Sequence, residues 1–139
     1  MKNSYSILFL FFGLTLQAQT ITGKWKTIDD ETGEAKSIVE IYEYQGLYYG
    51  KIINLLSKDD QGKRCEKCTG KDHNQPIEGL VILKDLKKDG DIFKGGQILD
   101  PKSGKTYKCE ISFSNSNELK VRGYIGISLI GRSQIWKRV

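Results

Sequence analysis

Tyr107-Lys108-Cys109-Glu110-Ile111-Ser112-Phe113, followed by Leu119-Lys120-Val121-Arg122-Gly123-Tyr124-Ile125, carries the plainest pattern in this chain of 139 residues. In the first run Tyr107, Cys109, Ile111 and Phe113 share one side, and Lys108, Glu110 and Ser112 share the other. In the second, Leu119, Val121, Gly123 and Ile125 alternate with Lys120, Arg122 and Tyr124. A period of two is the mark of a strand with one buried and one wet face. Asn115-Ser116-Asn117 between the runs is a polar turn, so the pair reads as a hairpin.

The same alternation predicts strands over 22–27, 37–44, 47–56, 79–83, 92–99 and 133–139. Turn chemistry separates them. Asp29-Asp30-Glu31-Thr32-Gly33 ends in a glycine able to take positive φ, Gln45-Gly46 is a tight turn, and Asp89-Gly90 fits a type I′ hairpin. In Asp100-Pro101-Lys102-Ser103-Gly104 the proline presets φ and the glycine releases it. No long amphipathic helix, linker or internal repeat interrupts the series. Eight short, hairpin-linked strands predict an all-β fold, a closed barrel or a sandwich. The expectation adopted is a single small antiparallel up-and-down barrel of about eight strands.

The two ends of that series match. Gly23-Lys24-Trp25 opens the first strand, and Gln134-Ile135-Trp136-Lys137-Arg138 forms the last. First and last strands are neighbours in a closed up-and-down barrel, and its narrow end needs a large side chain to fill it. Gly23, Trp25, Arg132, Trp136 and Arg138 are therefore the expected closure set, with a guanidinium from Arg132 or Arg138 over an indole. Tryptophans lining a ligand pocket are the alternative.

Residues 1–18 read as an export signal. Lys2 is a short positive region, an apolar stretch of about ten residues runs from Ile7 to Leu16, and Leu16-Gln17-Ala18 offers a cleavage site. The stretch is about half the length a membrane helix requires, so no stable membrane span is expected. Residues 19–139 then form one domain, periplasmic or secreted. The formal charge of +5, or +4 without Lys2, comes with no basic run long enough for a nucleic-acid groove. The lysines crowding residues 63–71, and Lys84, Lys87 and Lys88, read as solvated loops.

Two stretches depart from the pattern. Residues 57–76 form a long polar insert holding Cys65, Cys68 and His73, and a loop of that length is usually functional or pinned. Residues 123–131 are apolar yet glycine-rich, which suits either a strand running into a tight corner or a lid across one mouth. With three cysteines at most one internal bridge forms, and a Cys65–Cys68 disulfide is the favoured state for an exported chain. Thiol–disulfide exchange by the same pair, and a zinc site with His73 and a fourth ligand such as Cys109 or Asp72, are the alternatives. Cys109 faces inward and behaves as a small buried hydrophobe.

Catalytic signals are missing. His73 is the sole histidine, and no Gly-x-Ser-x-Gly, His-Glu-x-x-His or phosphate-cradling loop is present. The acidic turn of Asp29, Asp30, Glu31 and Glu34 reads as solvated, with weak cation binding as the alternative. No catalytic residue, metal or cofactor is implied.

Several segments together resemble an uncharacterised family of exported bacterial proteins, domain of unknown function 2147. They are Gly23-Lys24-Trp25 with Asp29-Asp30, Thr32-Gly33, Lys36-Ser37, Tyr49-Gly50-Lys51-Ile52, and Cys65-x-x-Cys68 with Pro76-Ile77. Gly95-Gly96-x-Ile98-Leu99-Asp100-Pro101, Val121-Arg122-Gly123-Tyr124 and Gly131-Arg132-Ser133-Gln134 complete the set. The resemblance spans nearly all of the chain beyond the leader. It implies a small lipocalin-like barrel in the cell envelope and no particular activity.

Two functions of different kinds fit. The first is a non-enzymatic binder holding a small apolar or amphipathic molecule inside the barrel. Parity selects Val39, Ile41, Val81, Leu83, Tyr107, Ile111, Phe113, Leu119 and Val121 as its lining. Arg122 has the opposite parity and faces outward. The second is a packed barrel that binds a protein or envelope surface through its outer face or its Cys-x-x-Cys loop, with Tyr42, Tyr44, Tyr48, Tyr49 and Tyr124 dressing that face.

Overall fold

Eight strands follow one another in chain order and close on themselves: β1 Gly23–Ile28, β2 Ala35–Tyr44, β3 Leu47–Leu55, β4 Val81–Asp89, β5 Ile92–Asp100, β6 Lys105–Asn115, β7 Glu118–Tyr124 and β8 Gly131–Arg138. Every neighbouring pair is antiparallel, and β1 seals against β8 through Trp25↔Arg138, Lys26↔Lys137 and Thr27↔Trp136. The structure is a computed structural model and describes residues 2–3, 7–13, 19–126 and 131–139. Among these residues the only helix is a 3-10 turn, Gly70–Asp72. None is long and apolar enough to cross a membrane. Closure removes every strand edge, which is why the sheet forms a barrel rather than a sandwich with exposed edges.

Alternation places the core as expected. Cys109 and Ile111 of β6, and Leu119 and Val121 of β7, are buried, while Lys108 and Lys120 are exposed. The β6–β7 register sets Ile111 opposite Val121 and Cys109 opposite Gly123. Gln45 and Gly46 both take positive φ, 51° and 80°, as a type I′ turn between Tyr44 and Leu47 requires. At the next hairpin, Asp89 pairs with Ile92 across Gly90-Asp91, and Gly90 is the positive-φ residue of the two. That is II′ geometry rather than the I′ turn expected there.

Strand β4 runs six residues beyond its expected end at Leu83. Lys84, Lys87 and Lys88, which read as loop lysines, are strand residues. The alternation that would reveal this is broken at Asp85, whose φ of 59° inserts an irregularity and turns Leu86 back into the core. Leu86 then pairs with Tyr48.

The cleavage signal Leu16-Gln17-Ala18 and residues 127–130 of the glycine-rich stretch lie outside the described residues. The apolar side chains of Ile7 to Phe12 are exposed.

Candidate functional site

One end of the barrel is stoppered. Trp25 is fully buried and its Nε1 donates to the Ile21 carbonyl at 2.8 Å, so its polar tip is satisfied by the chain entering the barrel. Phe113 meets the indole edge-on at 6.5 Å. The Arg138 guanidinium stands 4.2 Å from the centre of the Trp25 ring. Its Nη2 donates to the Thr20 carbonyl at 3.1 Å, and its Nε reaches the Ser116 carbonyl at 3.4 Å. One side chain thus ties together the entering segment, the β6–β7 turn and the plug. Gly23 adopts φ of 126°, a conformation that L side chains rarely take, although the space beside it is ordinary. Its requirement is conformational, not one of close passage.

Arg132 belongs elsewhere. Six residues along β8 from Arg138 correspond to roughly 20 Å of strand. Arg132 therefore lies at the opposite rim, paired with Gly123 and bonded to the β1–β2 turn. Its Nη2 donates to Asp30 at 2.6 Å and stands 3.1 Å from Glu31. The guanidinium holds the Asp30 carboxyl below the usual carboxylate range. The adjacent Asp29 carboxyl is lowered too, because it accepts the Thr32 and Glu31 amides at 2.9 Å each. The acidic turn expected to be merely solvated is thus a structured rim tied to β8.

The nine side chains expected to line a lumen divide by depth. Val39, Ile41, Leu83, Ile111, Leu119 and Val121 are 0 to 2% exposed. A side chain with almost no accessible surface borders no void that admits water, so at their level the barrel is filled. Phe113 is half-buried against the plug. Val81 departs from its expected inward place. A register shift between Gly50 and Lys51 sets it opposite Lys51, and it borders an outer groove with Tyr42 and Tyr49.

Tyr107 has a different setting. It pairs with Ile98 at the rim away from the plug, and both are half-buried. Beside them Gly123 carries no side chain, and a Cβ there would come 3.4 Å from Ile98. Half-buried Gln134 shares the parity of Arg132 and accepts a hydrogen bond from Trp136 Nε1 at 3.2 Å. Thr27, in register with Trp136, bonds to Ser37 at 2.8 Å as a buried polar pair. Sequence parity identified Tyr107 but not its partners, because Ile98 follows the irregularity at Gly95-Gly96, which resets the alternation along β5.

The insert between β3 and β4 is pinned, not loose. Cys65 and Cys68 are joined by a disulfide. Cys65 is fully buried and Cys68 nearly so, and the Lys67 carbonyl presses against Gly104 so closely that a Cβ there would lie 2.0 Å from it. Ile82 of β4 and Leu99 of β5 are buried as well. Bonded to each other, the two sulfurs offer no thiolate to a metal, and His73 bonds the Cys68 carbonyl through Nδ1 at 2.9 Å. No group of three potential metal ligands forms among the described residues. Burial also shields the disulfide from the in-line attack that thiol exchange requires. Cys109 is buried beneath the sheet, and desolvation, with Glu110 adding to it, pushes its thiol up to about 12.

A closed, eight-stranded antiparallel barrel, stoppered at the end where the chain enters, defines a lipocalin-like protein. The chain belongs to a family described as an uncharacterized protein conserved in bacteria, DUF2147, whose model matches residues 23–138. Among solved structures it is similar to protein HP1028 from the human pathogen Helicobacter pylori, described as belonging to the lipocalin family. The two are 26% identical over 88% of this chain and 84% of that one, with a TM-score of 0.74. No curated protein matches.

Proposed function

We propose that this protein is an exported, non-enzymatic binder that takes a small amphipathic molecule at the end of its barrel opposite Trp25. The observation that carries the reading is the asymmetry between the ends. Inward side chains are sealed around Trp25, whereas Ile98, Tyr107 and Gln134 keep partial access at the other end, with Arg132 on the rim above them. An apolar wall with a few polar handles is what such ligands need. The lipocalin likeness supports the class by analogy of fold. The filled core favours a ligand at the mouth over one in a deep lumen. Export is supported by an apolar leader whose side chains stay exposed outside the barrel.

Native mass spectrometry of the protein isolated gently from its own envelope tests this. A co-purifying small molecule is the expected result. A bare mass, together with unmoved Tyr107 and Ile98 NMR signals on adding laurate, overturns it.

The filled core also favours a second reading, in which the outer surface or the disulfide-pinned insert engages a partner. In that case Arg132→Ala and Tyr107→Ala leave the interaction intact, and changes on the outer face abolish it.

A further inference from the structure

Strands β2 and β3 carry tyrosines on their outer wall that neither the plug nor the mouth uses. Tyr42 and Tyr49 stand opposite each other in register, and their rings stack at 5.8 Å with an interplanar angle of 22°. Tyr44 meets Tyr49 edge-on at 6.4 Å. Tyr48, next in sequence, points the other way and packs on Phe93 in the core at 5.0 Å.

The backbone is deformed to hold this array. Asp85 sits at φ 59°, a left-handed conformation unusual for a residue other than glycine, and such strain gathers at functional positions. Its carboxylate accepts the Tyr49 hydroxyl at 2.9 Å, fixing the ring. Across on β5, Gly96 makes the deformation possible, since a Cβ there would lie 2.2 Å from the Lys84 carbonyl oxygen. Without Asp85 in this conformation, β4 would aim no carboxylate at the tyrosines.

Facing the rings is the inner edge of the insert, and between them runs a groove of about 640 Å³. Its polar side is made by Lys71, Asp72, Gln75, Glu78 and Lys84. Lys84 and Asp72 pair at 3.4 Å, so among the lining side chains two cations balance two anions, and the Asp85 carboxylate held by Tyr49 leaves no positive excess. A polyanion would meet Asp72 and Glu78, and a purely apolar chain would desolvate charges without replacing their hydrogen bonds. What matches is a neutral ligand with an apolar face for the rings and hydroxyls for the amide, carboxylates and lysines.

We propose that this groove is a saccharide-binding site, with Tyr42 and Tyr49 as the stacking wall and Gln75 and Glu78 among the hydroxyl partners. A pyranose ring presents axial C–H bonds to the aromatic wall and its hydroxyls to the insert. The site lies outside the barrel and stands whether or not the mouth holds a molecule.

The test is an NMR titration of the full protein with two neutral probes, cellotetraose and tetra-N-acetylchitotetraose. At least one of them shifts the amides around Tyr42, Tyr49, residues 71–78 and Lys84. Tyr42→Ala and Tyr49→Ala each weaken that binding by about tenfold, the scale of one lost aromatic contact. Tyr49→Phe, which keeps the ring and loses the tether to Asp85, weakens it less, and Tyr124→Ala on another part of the outer wall leaves it unchanged. The tyrosines lie outside the core, so a native-like amide spectrum of each variant confirms its fold. Three results overturn the proposal: no perturbation by either probe, perturbation centred on Tyr107 and Ile98, or shifts produced only by an extended proline-rich peptide.

Discussion

Trp25 shows how one residue can carry both a packing and a polar role. It is fully buried, its ring is covered by Arg138, and its nitrogen is bonded to Ile21. Trp25→Ala is expected to cost about 3–5 kcal/mol in a urea unfolding experiment, the usual range for emptying a large core aromatic site. Arg138→Ala should cost about 0.5–2 kcal/mol, because its cation–π contact is only partly desolvated. Cys109 makes the complementary case for a residue without chemistry. Its thiol is buried and its pKa is raised from 9.0 to about 12, so the folded state favours the neutral form. That contribution to stability is intact below pH 9 and is lost progressively as the pH rises toward 12. Cys109 should resist Ellman's reagent in the native protein and react at once in denaturant. Fast labelling of the native state would contradict the packed core. The sequence made both residues legible, because a large or small apolar residue at the inward parity has few other places to be. Arg132 was not legible in this way. Parity groups it with Arg138, but distance along the strand separates the two, and its ion pair with Asp30 joins residues far apart in the chain.

At the scale of elements, the informative features are the irregularities. Gly96 faces the Lys84 carbonyl across the β4–β5 ladder so closely that any side chain must displace backbone. Gly96→Ala should therefore cost at least the 1–3 kcal/mol typical of overpacking, and the amides of residues 84–86 should lose hydrogen-exchange protection. A wild-type stability curve for this variant would show that the two strands do not meet as described. The disulfide in the insert predicts the opposite kind of result. A loop of so few residues removes roughly 2 kcal/mol or less of denatured-state entropy. Cys65→Ser with Cys68→Ser should leave the barrel folded, with the exchange protection lost mainly at residues 57–76. The hairpins were readable from turn chemistry alone. The last six residues of β4 were not, because one residue in a left-handed conformation inverts the alternation on which strand reading depends.

For the whole molecule, the charge network makes stability depend on acid. The Asp29, Asp30 and Asp89 carboxyls are all lowered from 3.8, by turn amides, by Arg132 and by Lys94 respectively. A depressed carboxylate contributes stability above its unfolded pKa and loses it as the pH falls through the folded value. The melting temperature should thus hold steady from neutral pH to about 5 and drop below 3.8, and Arg132→Ala should flatten part of that drop. An unchanged profile in this variant would show that the rim contact is not made in solution. Since these groups are exposed, raising the salt should shrink the effect.

From the chain alone followed the class of fold, the strand that opens it, the strand that closes it, and the pairing of the two nearby cysteines. All of these rest on local signals: alternation, turn residues, and the requirement that a closed sheet fill its narrow end. Only the folded molecule decided that the interior is filled at mid-depth, that Arg132 guards the rim, and that Tyr42 and Tyr49 face the insert across a groove. Filling depends on how opposing side chains interdigitate, and the groove depends on where a long connection comes to rest. Both are sums of contacts between residues distant in sequence, which no local pattern records.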